Sequence, residues 1–506
     1  MAQQPADDGA IAREAGRVRD IKQELEAQVP PRAASLDGQA FTFSAPVSMA
    51  LPTGGYVTVQ TAAGPVLGQV RDVQLEHAPG PLVPVAAGAL AGMSMHVRFD
   101  RIIGTGAILR PGAPFHDAPF EPAAAADLAE LLAAERPRGA TLRLGQVTLA
   151  PGVEARLDAT GFGRHTFLCG QSGSGKSYAM GLLLEQLLLE TDLPIVVLDP
   201  NSDATRLAEL LPGTDAATAE RWSAIAPRIG VRRVGGEGAE RLRLRFFDLD
   251  PETQQAVLGL DPLRDREEYD LLRDILDAEA DGTSLDDLTA QLAGEPRLRP
   301  LALRLRNLGV LDWSIWARDS GDRGLLEDLE TGDERLLVVD LGSIRTPAER
   351  ALVSAAVLAD LWRRRADRRP VLVVIDEAHN VCPPDAADPV TAIAAERGVQ
   401  IAGEGRKFGL HLVVATQRPL KVHENVLSQC DNLILMRMNS AGDLARLAEL
   451  FSFVPPALLG RATSFGLGQA LVAGRIAPHP MLVTTGGRIA QEGCGDVPAT
   501  WARRAD

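Results

Sequence analysis

Residues 170–177, Gly-Gln-Ser-Gly-Ser-Gly-Lys-Ser, restrict what this chain can fold into more than any other stretch. They follow the apolar run 166–169 and fit the G-x-x-x-x-G-K-[ST] pattern. The loop Gly170, Gln171, Ser172, Gly173, Ser174, Gly175 lets successive backbone N–H groups converge on one anion, because glycine tolerates the tight turns required. Lys176 then reaches the β- and γ-phosphates, and the Ser177 hydroxyl is placed to ligate Mg²⁺. Tyr178 begins a helical pattern to Leu189, whose N-terminal dipole faces the same phosphates. ATP with Mg²⁺ is the expected ligand set, and residues 170–178 are its expected cradle. Strand, loop and helix in this order require an α/β fold built on a mostly parallel sheet with helices on both faces.

A second signal is the strand pattern 371–375 ending in Asp376-Glu377-Ala-His379. A carboxylate at the tip of such a strand, Asp376, can hold Mg²⁺ beside Ser177, and Glu377 can deprotonate the water that attacks the γ-phosphate. His379 reads as a partner of Glu377 or as a packed, neutral histidine. The third signal is Leu412-Val-Val-Ala-Thr-Gln417-Arg-Pro419, where Gln417 at the strand tip can touch both γ-phosphate and water. Hydrolysis also needs cations. Arg406, in Gly-Arg-Lys-Phe-Gly before that strand, is one candidate. Arg164 is the other; it precedes the phosphate-loop strand, too near in sequence to fold back easily onto its own phosphates, and is better placed to serve an adjacent subunit. The run 363–369, with five arginines, reads as a solvated helix end in preference to a nucleic-acid contact.

A chain of 506 residues exceeds one ordinary core. Residues 1–38 read as a mobile or helical arm, with a helix over 11–26. Residues 39–155 alternate in short segments (41–49, 56–61, 66–75, 95–103) punctuated by Gly-Pro and Gly-Gly, the pattern of a small β-barrel, and a strand candidate at 141–149 is available to close it. Residues 156–204 and 335–485 form the expected ATPase core, with strands at 166–169, 195–198, 336–340, 371–375, 412–415 and 433–437. Between them, 205–334 reads as a helical insert in which Trp313 and Trp316 pack on one helix face, and 486–506 as a C-terminal tail. The net charge of −15 argues against a generally basic nucleic-acid coat and confines any DNA contact to a local surface. Cys169, Cys382, Cys430 and Cys494 lack metal-site spacing, no apolar run is long enough for a membrane span, and the N-terminus lacks a signal pattern; a cytoplasmic protein is expected.

Taken together, the ordered motifs resemble the HerA-like family, hexameric ATPases of the FtsK–HerA group. The resemblance runs from the barrel through Arg164-His165, the phosphate loop, Asp199-Pro200, Asp376-Glu377-Ala-His379, Gly405-Arg-Lys407 and Ala415-Thr-Gln-Arg-Pro419 to Leu427-Ser-Gln-Cys430. It implies a RecA-like core and a homo-hexamer with ATP sites between subunits. It further implies that Arg164 acts in trans, that Arg406 acts near its own nucleotide, and that the segment after about Gly466 braces the neighbouring subunit. Such a family moves double-stranded DNA, with a nuclease or other effector partner in end processing or anti-phage defence. Asn201-Ser202-Asp203 departs from the His- or Lys-Gly-Glu that relatives often carry, which leaves the role of this turn open. Two other functional classes remain beside a DNA motor: a nucleotide-dependent assembly scaffold for an effector enzyme without sustained translocation, and a peptide or protein translocase.

Overall fold

The computed structural model describes residues 8–28, 30–84, 93–135, 139–278, 285–318 and 323–493. Two compact units emerge: residues from 1–136, 146–154 and 455–461 form one, and the remainder forms the other.

The first unit holds a closed barrel of β1 (Arg32–Ser35), β2 (Ala40–Pro46), β3 (Tyr56–Thr61), β4 (Gly64–Pro84), β5 (Ser94–Ile108) and β6 (Phe115–Pro122), in the order β1-β2-β5-β4-β3-β6. Alternation drives it: along β2, Phe41, Phe43 and Ala45 point inward while Ala40 and Thr42 are exposed. Phe43 meets Phe120 edge-on at 5.6 Å, and Val57, Val59 and Val70 complete the core. Gly106 is required where β5 crosses Phe41, since a Cβ there would stand 2.1 Å from the ring. Antiparallel pairing of Arg32 with Pro119 closes the cylinder, so the expected closing strand at 141–149 finds no free edge there. It forms β7 (Thr141–Val147) of the other sheet instead. The N-terminal segment forms a helix over Asp8–Gln28, and Lys22 reaches Asp100 of β5 at 3.5 Å.

The second unit carries an eleven-stranded mixed sheet. Its further strands are β8 (Glu154–Asp158), β9 (His165–Cys169), β10 (Ile195–Asp199), β11 (Ile229–Arg232), β12 (Leu336–Asp340), β13 (Val371–Ile375), β14 (Leu410–Thr416), β15 (Cys430–Met436), β16 (Gln469–Gly474) and β17 (Met481–Thr485). The order is β11-β12-β10-β13-β14-β9-β15-β16-β17-β7-β8, parallel from β11 to β15 and antiparallel through β16 and β17. Strands β9, β10, β12 and β13 are buried at every position, and β10, β12 and β13 are Val, Leu and Ile runs up to their ends, as a sheet covered on both faces requires.

Within 205–334 lie helices at Ala216–Ile225, Pro251–Val257, Arg266–Ala278, Leu285–Gly294, Arg299–Leu308 and Leu325–Thr331, but the same stretch also supplies β11, an edge strand of the main sheet. Trp313 and Trp316 stack at 6.2 Å, and the Trp316 indole donates to the Val310 carbonyl at 2.7 Å. They sit at and just beyond a short 3-10 turn, Val310–Asp312, and not along one helix face. Among the described residues no helix is long and apolar enough to cross a membrane.

Candidate active site

Parallel β9 ends at Cys169, and the chain turns through the phosphate loop into the helix Lys176–Glu190. Gly173 and Gly175 hold φ of +70° and +93°, the left-handed region that glycine enters without a Cβ penalty. Lys176 is buried at 5% exposure, and its ammonium sits on Asp376 Oδ1 and 3.4 Å from Glu377 Oε1. Burial alone would lower the lysine pKa, but the charges of Asp376 and Glu377 overcome it and the net shift is upward.

The tip of β13 presents both acids. Asp376 donates its backbone N–H to Leu198 at 3.1 Å, and its carboxylate oxygen Oδ2 accepts from the Asn201 amide at 3.4 Å. Glu377 adopts φ of +45° at 6% exposure, a strained conformation for a residue with a Cβ. Gln417, one residue beyond β14, donates from Nε2 to Glu377 Oε1 at 2.9 Å. The second carboxylate oxygen, Oε2, is buried, makes no hydrogen bond among the described residues, and faces His379 Nδ1 at 3.2 Å. His379 also lies 3.0 Å from the Thr416 hydroxyl; burial lowers its pKa, which leaves it neutral near pH 7.

Lys176, Asp376, Glu377 and Gln417 therefore converge. The candidate cations do not join them. Arg164 and Arg406 both donate to one oxygen, Asp431 Oδ2, at 3.2 and 3.1 Å. All three residues lie at the starts of β9, β14 and β15, the end of the parallel sheet opposite the phosphate loop. At roughly 3.3 Å per residue, the seven residues of β14 separate Arg406 from the tip of its own sheet by about 20 Å. Within one chain, Arg406 does not approach its own nucleotide loop, contrary to the expectation drawn from family resemblance. Between these arginines, His165 accepts the Leu412 N–H at 3.0 Å, and burial pushes its pKa down to about 4.

Several functional contacts escaped the sequence reading. The turn after β10 brings Asn201 to Asp376 and carries Asp203 toward Ser177. Burial raises the pKa of Asp203, and that of Asp199 to about 6. Arg437, at the tip of β15, donates to the Gly173 carbonyl at 2.9 Å; Gln171 accepts the Asn439 N–H at 3.1 Å, so the loop is stitched to the strand beside it. The rule that found Gln417, a polar residue just past a buried strand beside the loop, also selects Arg437. The Tyr178 hydroxyl donates to the Gly486 carbonyl at 3.2 Å and accepts the Arg488 N–H at 2.9 Å, so its side chain serves the C-terminal segment. That segment, up to Gly493, returns to the chain's own phosphate-loop helix: buried Glu185 accepts from Arg488 Nε at 2.8 Å and from the N–H groups of Ile489 and Ala490 at 2.9 and 3.1 Å. Over these residues the segment braces its own chain; 494–506, with Cys494, lies outside the described residues. In the arginine run, Arg363 and Arg364 pair with Asp360, while Arg365 lies 4.5 Å over the Trp362 ring, as a packed helix end should.

Hydroxyl and carboxylate oxygens at Ser177 and Asp376 suit a hard divalent cation. Among the described residues no group of three acidic, histidine or cysteine side chains stands together to hold a metal by itself.

A family model described as the central domain of helicase HerA matches residues 142–308. The chain is 24% identical over 387 residues to the DNA double-strand break repair helicase HerA of Pyrococcus furiosus, covering 68% of this chain and 69% of that protein. It is 26% identical over 360 residues to the helicase of the same name from Saccharolobus solfataricus, covering 68% of each. Among solved structures, VirB4 of Thermoanaerobacter pseudethanolicus aligns with a TM-score of 0.48 and 15% identity, over 69% of this chain and 96% of that one.

Proposed function

We propose that this chain, a P-loop ATPase related to the HerA helicases, hydrolyses ATP to drive double-stranded DNA through a homo-hexameric ring. In this reading the sheet of the second unit is a RecA-like core, 205–334 is an insert upon it, and a nuclease or other effector uses the motor in DNA end processing or anti-phage defence.

The observation that carries the chemistry is Glu377. Gln417 occupies one carboxylate oxygen, and the other is buried beside a neutral histidine with no hydrogen-bond donor. That oxygen is a free acceptor for the proton of a water attacking the γ-phosphorus: a P–O bond forms to the water, the bridging β–γ P–O bond breaks, and Glu377 holds the proton. Mg²⁺, when bound, neutralises phosphate charge. Ser177 and Asp376 are the residues that would hold it. Lys176 turns part of its charge from Asp376 and Glu377 to the phosphates. Gln417 links the state of Glu377 to the loop that follows β14.

Arg164, exposed, and Arg406, half-buried, both far from their own loop, are suited to complete the site of an adjacent subunit, which supports assembly into a ring. The acidic net charge confines DNA contact to a lining surface of that ring.

Glu377→Gln should bind ATP as the wild type does and hydrolyse it about 10² to 10⁴ times more slowly; unchanged turnover would remove Glu377 from the mechanism. Wild-type ATPase should rise on adding duplex DNA and lose that stimulation steeply with salt, because phosphate contacts release counterions. No stimulation by any DNA form would favour the scaffold class over the motor.

A further inference from the structure

Behind Glu377 the structure holds a contact that lacks a proton. The Thr416 hydroxyl, fully buried, accepts the Arg418 N–H at 3.0 Å and lies 3.0 Å from His379 Nδ1. Among the described residues its own proton has no other acceptor, so it points at Nδ1, and the histidine carries its hydrogen on Nε2. Burial lowers the pKa of His379, in keeping with a neutral ring. The Nδ1 lone pair therefore also faces Glu377 Oε2 across 3.2 Å, and neither atom has a hydrogen to give the other. Gln417, bonded to Oε1 at 2.9 Å, keeps the carboxylate from turning away.

Two acceptors at this distance repel, and a buried acceptor without a donor is costly. One proton between them turns the contact into a hydrogen bond. The proton that Glu377 takes from the attacking water is such a proton. On its far side the ring is open: the His379 side chain is 18% exposed, and Nε2 is the nitrogen left to meet solvent.

We propose that His379 is a proton relay behind the general base. Once the bond from water to phosphorus has formed and the β–γ bridge has broken, protonated Glu377 Oε2 gives its proton to Nδ1. Nε2 gives its own to solvent water, and Glu377 is again a carboxylate. One proton enters the ring and one leaves it, so the proton of hydrolysis ends in solvent; exchange with water between turnovers restores the hydrogen on Nε2. This rests on the ATPase reading of the same site, in which the proton's path stops at Glu377.

The test compares one turnover with many in the intact chain. With protein in excess over ATP, His379→Ala should cleave ATP at about the wild-type rate, because its base starts deprotonated. With ATP in excess, its kcat should fall about 10²-fold at unchanged KM. Added imidazole should restore much of the steady rate, whereas pyrazole, of the same shape but far less basic, should not. A single-turnover rate that falls as far as kcat would mean that the ring only places Glu377, and would overturn the relay; so would restoration by both rings or by neither. His379→Asn keeps an acceptor for the Thr416 hydroxyl but has no basic nitrogen, and it should show the same split between one turnover and many if His379→Ala does not fold. Wild-type kcat in either variant would overturn this inference and leave the ATPase reading standing. Absence of ATP hydrolysis by the wild-type protein would overturn the ATPase reading and this inference with it.

Discussion

At the scale of single residues, Arg164 and Arg406 separate what a strand pattern can tell from what it cannot. Lys176, Asp376, Glu377 and Gln417 were all legible because each sits at or just past the end of a buried parallel strand or opens the helix after it, and parallel strands bring such ends to one edge. Arg406 was legible as a cation but not in its location. It precedes its strand, so the same rule sends it to the opposite edge, where Asp431 receives it with Arg164. Asp203 was missed because it stands four residues past its strand, on a turn whose path depends on Asp340 and Gly493. If each arginine completes a neighbour's site, Arg164→Ala should leave ATP binding intact and lower turnover by about 10³-fold or more. Arg406→Ala should do the same in direction. The decisive measurement mixes Arg164→Ala subunits with Glu377→Gln subunits: activity should reappear, because some junctions then pair an intact base with an intact arginine. Inactive mixtures would exclude action in trans.

At the scale of elements, the phosphate-loop helix shows how burial is decided by something distant in sequence. Residues 178–189 read as a helix from their own pattern, and the helix observed is Lys176–Glu190. Nothing local indicates that Glu185 is fully buried. It is covered by a segment some 300 residues later, whose Arg488 lies at 2% side-chain exposure against it. Such a pair costs heavily to desolvate, and removing one member is costly because a buried charge is left alone. Arg488→Ala should destabilise the protein by about 3–5 kcal/mol, read as a lower Tm and a lower denaturant midpoint. Replacing Gly181 by Ala should act in the same direction but more weakly, since its Cβ would stand 2.4 Å from the Arg488 guanidinium carbon. An Arg488→Ala protein as stable as the wild type would mean that the segment is held by its backbone bonds alone.

At the scale of the whole molecule, stability should fall on mild acidification. His165 and His479 are pushed by burial to about 4, below the ordinary 6.5. A depressed base is neutral in the fold and protonates first in the unfolded chain, so its contribution is present above about 6.5 and is lost progressively as pH falls toward 4. Asp199, raised to about 6, works the other way: it favours the fold below its unfolded value and loses that contribution as pH rises through 6. Among the described residues, four histidines lowered by burial (His165, His379, His411 and His479) stand against three aspartates raised by it (Asp199, Asp203 and Asp248), and Tm measured from pH 7 down to pH 5 should decrease. A flat profile would mean that these histidines find proton acceptors on acidification.

The barrel was legible as a barrel from its alternating short strands, but its closure was not, because β1 lies in residues that read as an arm and β6 in residues with little apolar alternation. The remaining feature of this scale is a sum of charges. Two guanidiniums and one carboxylate meet where β9, β14 and β15 begin, so that junction carries a surplus of one positive charge. No charge within the trio balances it. An anion from outside the chain would do so, and in the proposed ring the triphosphate held by another copy is an anion of suitable size and sign. In the proposed ring, the sheet end farthest from a subunit's own nucleotide would be, in charge terms, the unfinished half of a neighbour's site.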